Sequence, residues 1–163
     1  MSSSTAPAAD TLAVEPGPTD IFFHRADALY RCAVECCRQH ERLARLIDLG
    51  AHPTEQKATQ KAVCLCDETL AEMTAAYEKA ASRAHPAGED GCWHKANALW
   101  HASREFARRN RTCDLAARKL GERDDHSSAR LGELTVDYDL YASALLALRH
   151  ACDAYKKVRP AAS

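Results

Sequence analysis

Apolar residues in this chain recur at alternating intervals of three and four, a period that long amphipathic helices packed side by side require and strands do not. One stripe reads Phe22, Ala26, Leu29, Ala33, Cys36, His40, Leu43 and Ile47. A later one reads Cys92, Ala96, Leu99, Ser103, Phe106, Asn110, Cys113, Ala117 and Leu120, and the last Leu131, Leu134, Tyr138, Tyr141, Leu145, Leu148, Cys152 and Tyr155. The stripe between them is less regular: Ala62, Cys66, Leu70 or Thr69, Met73, Tyr77 and Ala80. Four segments of similar length with short connections predict an all-α fold, an antiparallel up-down-up-down four-helix bundle.

Helix punctuation sets the expected limits. Asp20 reads as an N-cap and Gly50 as the stop of a helix over 20–49. Pro53 or Thr54 opens a second helix ending near Ala84, because proline is well tolerated at a first helical position. After the loop 85–91, a third helix runs from Cys92 to Leu120 and stops at Gly121; a fourth runs from Asp125 to Lys157, ahead of Pro160. Residues 1–19, rich in Ser, Ala, Pro and Thr without a period, read as a disordered tail, and 158–163 as a short C-terminal one. At 163 residues the bundle over 20–157 makes one domain with a sizeable core.

The formal net charge of −1 supplies no global field toward nucleic acid or an anionic membrane, so neither is an expected partner. No apolar run approaches the ~18–20 residues that span a bilayer. The N-terminus lacks a basic segment followed by an apolar one, so it does not read as a secretory signal. A cytoplasmic location is therefore expected, where the eight cysteines stay reduced or hold metal rather than pair as disulfides.

Counting outward from each turn at ~1.5 Å per residue places those thiols. Cys36 and Cys66 lie equally far from the first turn, and counting from the second turn sets Cys66 opposite Asn110, one helical turn from Cys113. The expectation is a layer of Cys36, Cys66 and Cys113, with His40 and Cys32 one turn to either side and Cys37 adjacent. A second layer is expected at the other end, from Cys92 and Cys152 with His94 and His24 nearby. Thiolates are soft ligands that select Cu(I) or Zn(II), and neutral imidazole suits both. Cys36, Cys66, Cys113 and His40 would complete a tetrahedral zinc site, and the same thiols taken in pairs could hold Cu(I). Cys64 and Cys66 cannot point the same way on a helix.

A plainer reading stands beside this one. Buried free cysteine behaves as a small hydrophobe, so the thiols could simply fill the core of an interaction or scaffold bundle, possible as a homodimer. Asn110 in a core stripe reads as a residue that fixes register. Tyr138, Tyr141 and Tyr155 read as packing groups. No Glu has a His three residues on, as a di-iron bundle needs. A haem-attachment motif, a phosphate loop and a nucleophile elbow are also missing, so the chain does not read as an enzyme. The run Arg108-Arg109-Asn110-Arg111 lacks interleaved aromatics and reads as a solvated face.

The stretch Cys32-Ala-Val-Glu-Cys36-Cys37-Arg-Gln-His40, with Cys66, Cys113, His126 and Cys152 on the later segments, resembles the bacterial copper-storage family. Those proteins are cysteine-lined four-helix bundles that hold Cu(I) inside the bundle. Leu29, Leu99, Phe106, Leu134, Tyr138, Tyr141 and Leu145 stand at inward positions that such a protein could give to cysteine. The resemblance therefore implies a divergent relative with one or two small metal sites, or one that has kept the bundle and lost binding, rather than a high-capacity store.

Overall fold

A computed structural model describes residues 15, 17–84, 91–122 and 128–160. Four α-helices account for nearly all of them: α1 (Pro18–Asp48), α2 (Pro53–Ala81), α3 (Gly91–Glu122) and α4 (Ser128–Val158). The expected tail over 1–19 falls mostly outside the described residues, as does the loop at 85–90.

The helix ends follow local chemistry, in places differently from the expectation. α1 begins two residues before Asp20, because Pro18 presets the helical φ and has no N–H to leave unpaired; Gly17 takes the N-cap position, and Asp20 sits in the first turn, where the helix dipole favours its charge. At the other end Gly50 adopts a left-handed φ of 64°. Its N–H donates to the Ile47 carbonyl (3.1 Å) and the Ala51 N–H to that of Leu46 (2.9 Å), closing the helix as a glycine-terminated helix does. Pro53 opens α2 as expected, with His52 as its N-cap: Nδ1 accepts the Thr54 N–H at 3.2 Å. α3 passes through Gly121 rather than stopping there, since a helical glycine costs only about 1 kcal/mol and this one keeps an ordinary φ.

Side-chain pairs establish that neighbouring helices are antiparallel. Along α1 and α2, Phe22 meets Tyr77 and, further on, His40 meets Asp67. Between α2 and α3, Asp67 bonds Asn110 while Tyr77 bonds Asn97. Between α1 and α4, Tyr30 packs on Tyr155 and His40 on Tyr141. α1 and α3 are the parallel diagonal, touching where the His40 ring meets the edge of Phe106. The bundle is up-down-up-down, as two hairpins, α1–α2 and α3–α4, laid together.

The core occupies one part of that bundle. From the α1 start to His40, the expected stripe is buried on every step. Leu99, Ser103, Phe106, Leu148 and Tyr155 complete it from α3 and α4, and Leu70 and Tyr77 from α2. Beyond the His40 level the stripes continue in sequence but not in burial: Ile47 is 56% exposed, Leu131 44% and Tyr138 53%. On α2 the buried line there runs through Thr59 and Val63 instead of Ala62. The hairpins are closely joined at one end and more open at the other.

Candidate functional site

A polar constellation in the bundle draws a residue from each helix. His40 of α1 is 4% exposed. Its Nε2 lies 2.7 Å from Oδ1 of Asp67 on α2, and its Nδ1 lies 2.6 Å from the Tyr141 hydroxyl on α4. Asn110 of α3 donates from Nδ2 to the other Asp67 oxygen at 2.8 Å. A carboxylate can only accept, so Nε2 carries a proton, and in the neutral ring Nδ1 accepts the Tyr141 O–H. Burial, and the Asp67 charge after it, hold the Tyr141 hydroxyl protonated well above its ordinary range.

Next to this network lies a group of three thiols on the α1–α2 interface. The Cys36 Sγ–H donates to the Cys66 carbonyl at 3.1 Å, and Cys32 Sγ approaches the same oxygen at 3.9 Å. The single Cys36 S–H is shared between that carbonyl and the sulfur of Cys32, one helical turn away. That bond raises Cys36 far above the ordinary thiol value, with burial adding to the rise, and lowers Cys32. Burial raises the Cys66 thiol, and the charges of Glu35 and Cys32 raise it further. The charges acting on these sulfurs come from Asp67, Glu35 and one another, all anionic.

A second thiol pair faces the other way. Cys37, beside Cys36 but about 100° around the helix, meets α4, where it hydrogen-bonds to Cys152. The bond lowers Cys37 and raises Cys152. Both thiols line a groove of about 190 Å³ with Val34, Arg38, Glu41, Arg149 and Asp153.

Several expectations need correction against this geometry. Cys36 and Cys66 do share a level, and Cys66 does face the Asn110 level, through its neighbour Asp67. Cys113, however, stays one turn beyond, half-buried, where burial and the charges of Asp137 and Asp114 raise its thiol. His40 is not a waiting ligand, because both ring nitrogens are already bonded. Of the expected second layer, Cys92 lies beside Tyr155 and Cys152 beside Cys37. His24 and His94 are exposed. Cys64 is exposed and Cys66 partly buried, as their spacing requires. Arg108 and Arg109 of the basic run are both paired with Glu105.

Sequence reasoning missed Asp67 as the hub. Its only signal was a carboxylate next to an inward Cys66, midway along a helix whose stripe was already irregular. The larger surface grooves lie away from the thiols, one of about 540 Å³ between α2 and α3 and one of about 550 Å³ where the start of α1 meets the end of α2. Among the described residues, no group of three or more His, Cys, Asp or Glu side chains is spaced to hold one metal ion. Compared with protein-family models, curated proteins and solved structures, the chain matches none.

Proposed function

We propose that this bundle binds a soft metal ion, Cu(I), through Cys32 and Cys36. The observation that carries this reading is the pairing of two thiols one turn apart on α1, both directed at the Cys66 carbonyl and set in an anionic field. Each thiolate raises the cost of ionising the next, and a bound cation would relieve that repulsion. Two sulfurs are a sufficient ligand set for Cu(I) but half of what tetrahedral zinc takes. Zinc would need Cys113 and His40 as well, but Cys113 stays one turn beyond and both ring nitrogens of His40 are already bonded. The reading agrees with the resemblance to cysteine-lined copper-storage bundles in the kind of ion, at the scale of one small site. The packed helices would exclude water and oxidants from the thiolates, and no reaction is implied.

The test is a Cu(I) titration of the reduced full chain against a chromogenic chelator, beside Cys32→Ser/Cys36→Ser. At least one Cu(I) should be retained by the native chain, with at least a tenfold weaker hold in the variant, about 1.4 kcal/mol. Equal retention by the two proteins would remove the site and leave the cysteines as core residues of a scaffold bundle.

A further inference from the structure

The Cys37–Cys152 pair is set apart from the soft-metal candidate by its position: different sulfurs, on the side of α1 that faces α4. It joins elements that nothing else ties covalently. α1 and α2 are linked by a four-residue turn, whereas α1 and α4 stand at opposite ends of the described chain and belong to different hairpins. The two thiols line one groove, and within about a turn of them the Arg149–Glu41 ion pair spans the same two helices, so the two side chains face each other. The groove they line is roofed by charged side chains that reach solvent: Arg38 and Arg149 are 70% and 58% exposed, and Arg149 is held across it by Glu41 at 2.9 Å. At about 190 Å³ the groove has room for several molecules of water size, each ~30 Å³. The neighbouring Cys152 thiol lowers Cys37 most, and Arg149 adds to it against burial and the Glu41 and Asp153 carboxylates, so Cys37 is the thiol that ionises to the reactive form.

We propose that Cys37 and Cys152 are a peroxide-oxidised, thiol-reversible disulfide site that staples α1 to α4. One thiol, as its thiolate, attacks an oxygen of hydrogen peroxide; the O–O bond breaks, a sulfenic acid forms, and the departing hydroxide leaves as water after taking a proton. The second thiol attacks the sulfenic sulfur; the S–S bond forms, the S–O bond breaks and a second water leaves. Two thiols thus lose two electrons and two protons to one peroxide, which becomes two waters. A dithiol such as dithiothreitol reverses the linkage by exchange. The staple closes most of the chain into one loop, so it restricts the unfolded state strongly.

The reduced, metal-free full chain is exposed to one equivalent of hydrogen peroxide, quenched with N-ethylmaleimide, digested and analysed by mass spectrometry. The dominant cross-link should join Cys37 to Cys152, vanish with dithiothreitol, and raise the melting temperature by about 10 °C under non-reducing conditions. Cys37→Ser and Cys152→Ser should each abolish the cross-link and the rise, with Cys37 trapped as a sulfenic acid by dimedone in the latter. A dominant Cys32–Cys36 linkage, a Cys152 cross-link that persists in Cys37→Ser, or a native melting temperature unchanged or lowered by oxidation would overturn the proposal. The native cross-link and melting shift decide it even if a variant does not fold.

Discussion

At the residue scale, His40 shows how a buried polar group can be consumed by the fold. A histidine on an apolar stripe near four cysteines suggests a ligand, yet its two nitrogens are matched by Asp67 and Tyr141, and Asp67 in turn by Asn110. Removing the ring leaves a half-buried carboxylate short of a donor and the Tyr141 hydroxyl short of an acceptor, which costs more than the bond itself contributes. His40→Ala should therefore lose about 2–4 kcal/mol in urea unfolding, several times the effect of removing an exposed histidine such as His24. A loss below about 1 kcal/mol would mean that water restores the network. Asn110 was legible as a register residue because a lone amide in a core stripe has few other uses. Asp67 was not, because its partners, His40 and Asn110, lie on two other helices.

At the element scale, sequence period and burial part company halfway along the bundle. The stripes run unbroken from Phe22 to Ile47 and from Cys92 to Leu120, but their burial is complete only as far as the His40 level. The described residues offer a reason: the His40–Asp67–Asn110–Tyr141 network ties all four helices at one level, and past it the two hairpins share fewer buried groups. Leu99→Ala, fully buried, should cost about 2–5 kcal/mol, whereas Leu131→Ala on α4 should stay within about 0.5 kcal/mol. Comparable losses from chemical denaturation of the two variants would show that the open end packs as tightly as the closed one. Helix limits were readable to within a few residues, since proline and the left-handed Gly50 act locally; Gly121 misled because a glycine stops a helix only when the backbone uses its freedom.

At the scale of the whole molecule, buried thiols and phenols set the response to base. Cys36 is raised by its bond to Cys32 and by burial, Cys152 by its bond to Cys37 and by burial, and Cys66, Cys113, Tyr77, Tyr141 and Tyr155 by burial first. A group raised on folding keeps its proton in the native state after the unfolded chain has lost it. Stability is then fully present below the ordinary thiol value of 9.0 and falls as pH rises beyond it. Cys32 and Cys37 are lowered and act in the opposite sense, but they are outnumbered. The melting temperature of the reduced protein should hold steady from pH 7 to about 8.5 and then decline, with a shallower decline in Cys36→Ser. A melting temperature that stays level to pH 10.5 would contradict this assignment of the shifts.

The sequence by itself determined the four helices, their antiparallel order and the level shared by Cys36 and Cys66, because period, punctuation and rise per residue are local properties of a helix. Which way each thiol turns was decided only by tertiary structure. Rotation of one helix against the next is set by packing across interfaces, and a difference of one turn, about 5.4 Å, separates a converging sulfur from a remote one. Cys113 fell on the wrong side of that distance, Cys152 found Cys37, and His40 found a carboxylate and a phenol where counting had placed sulfur.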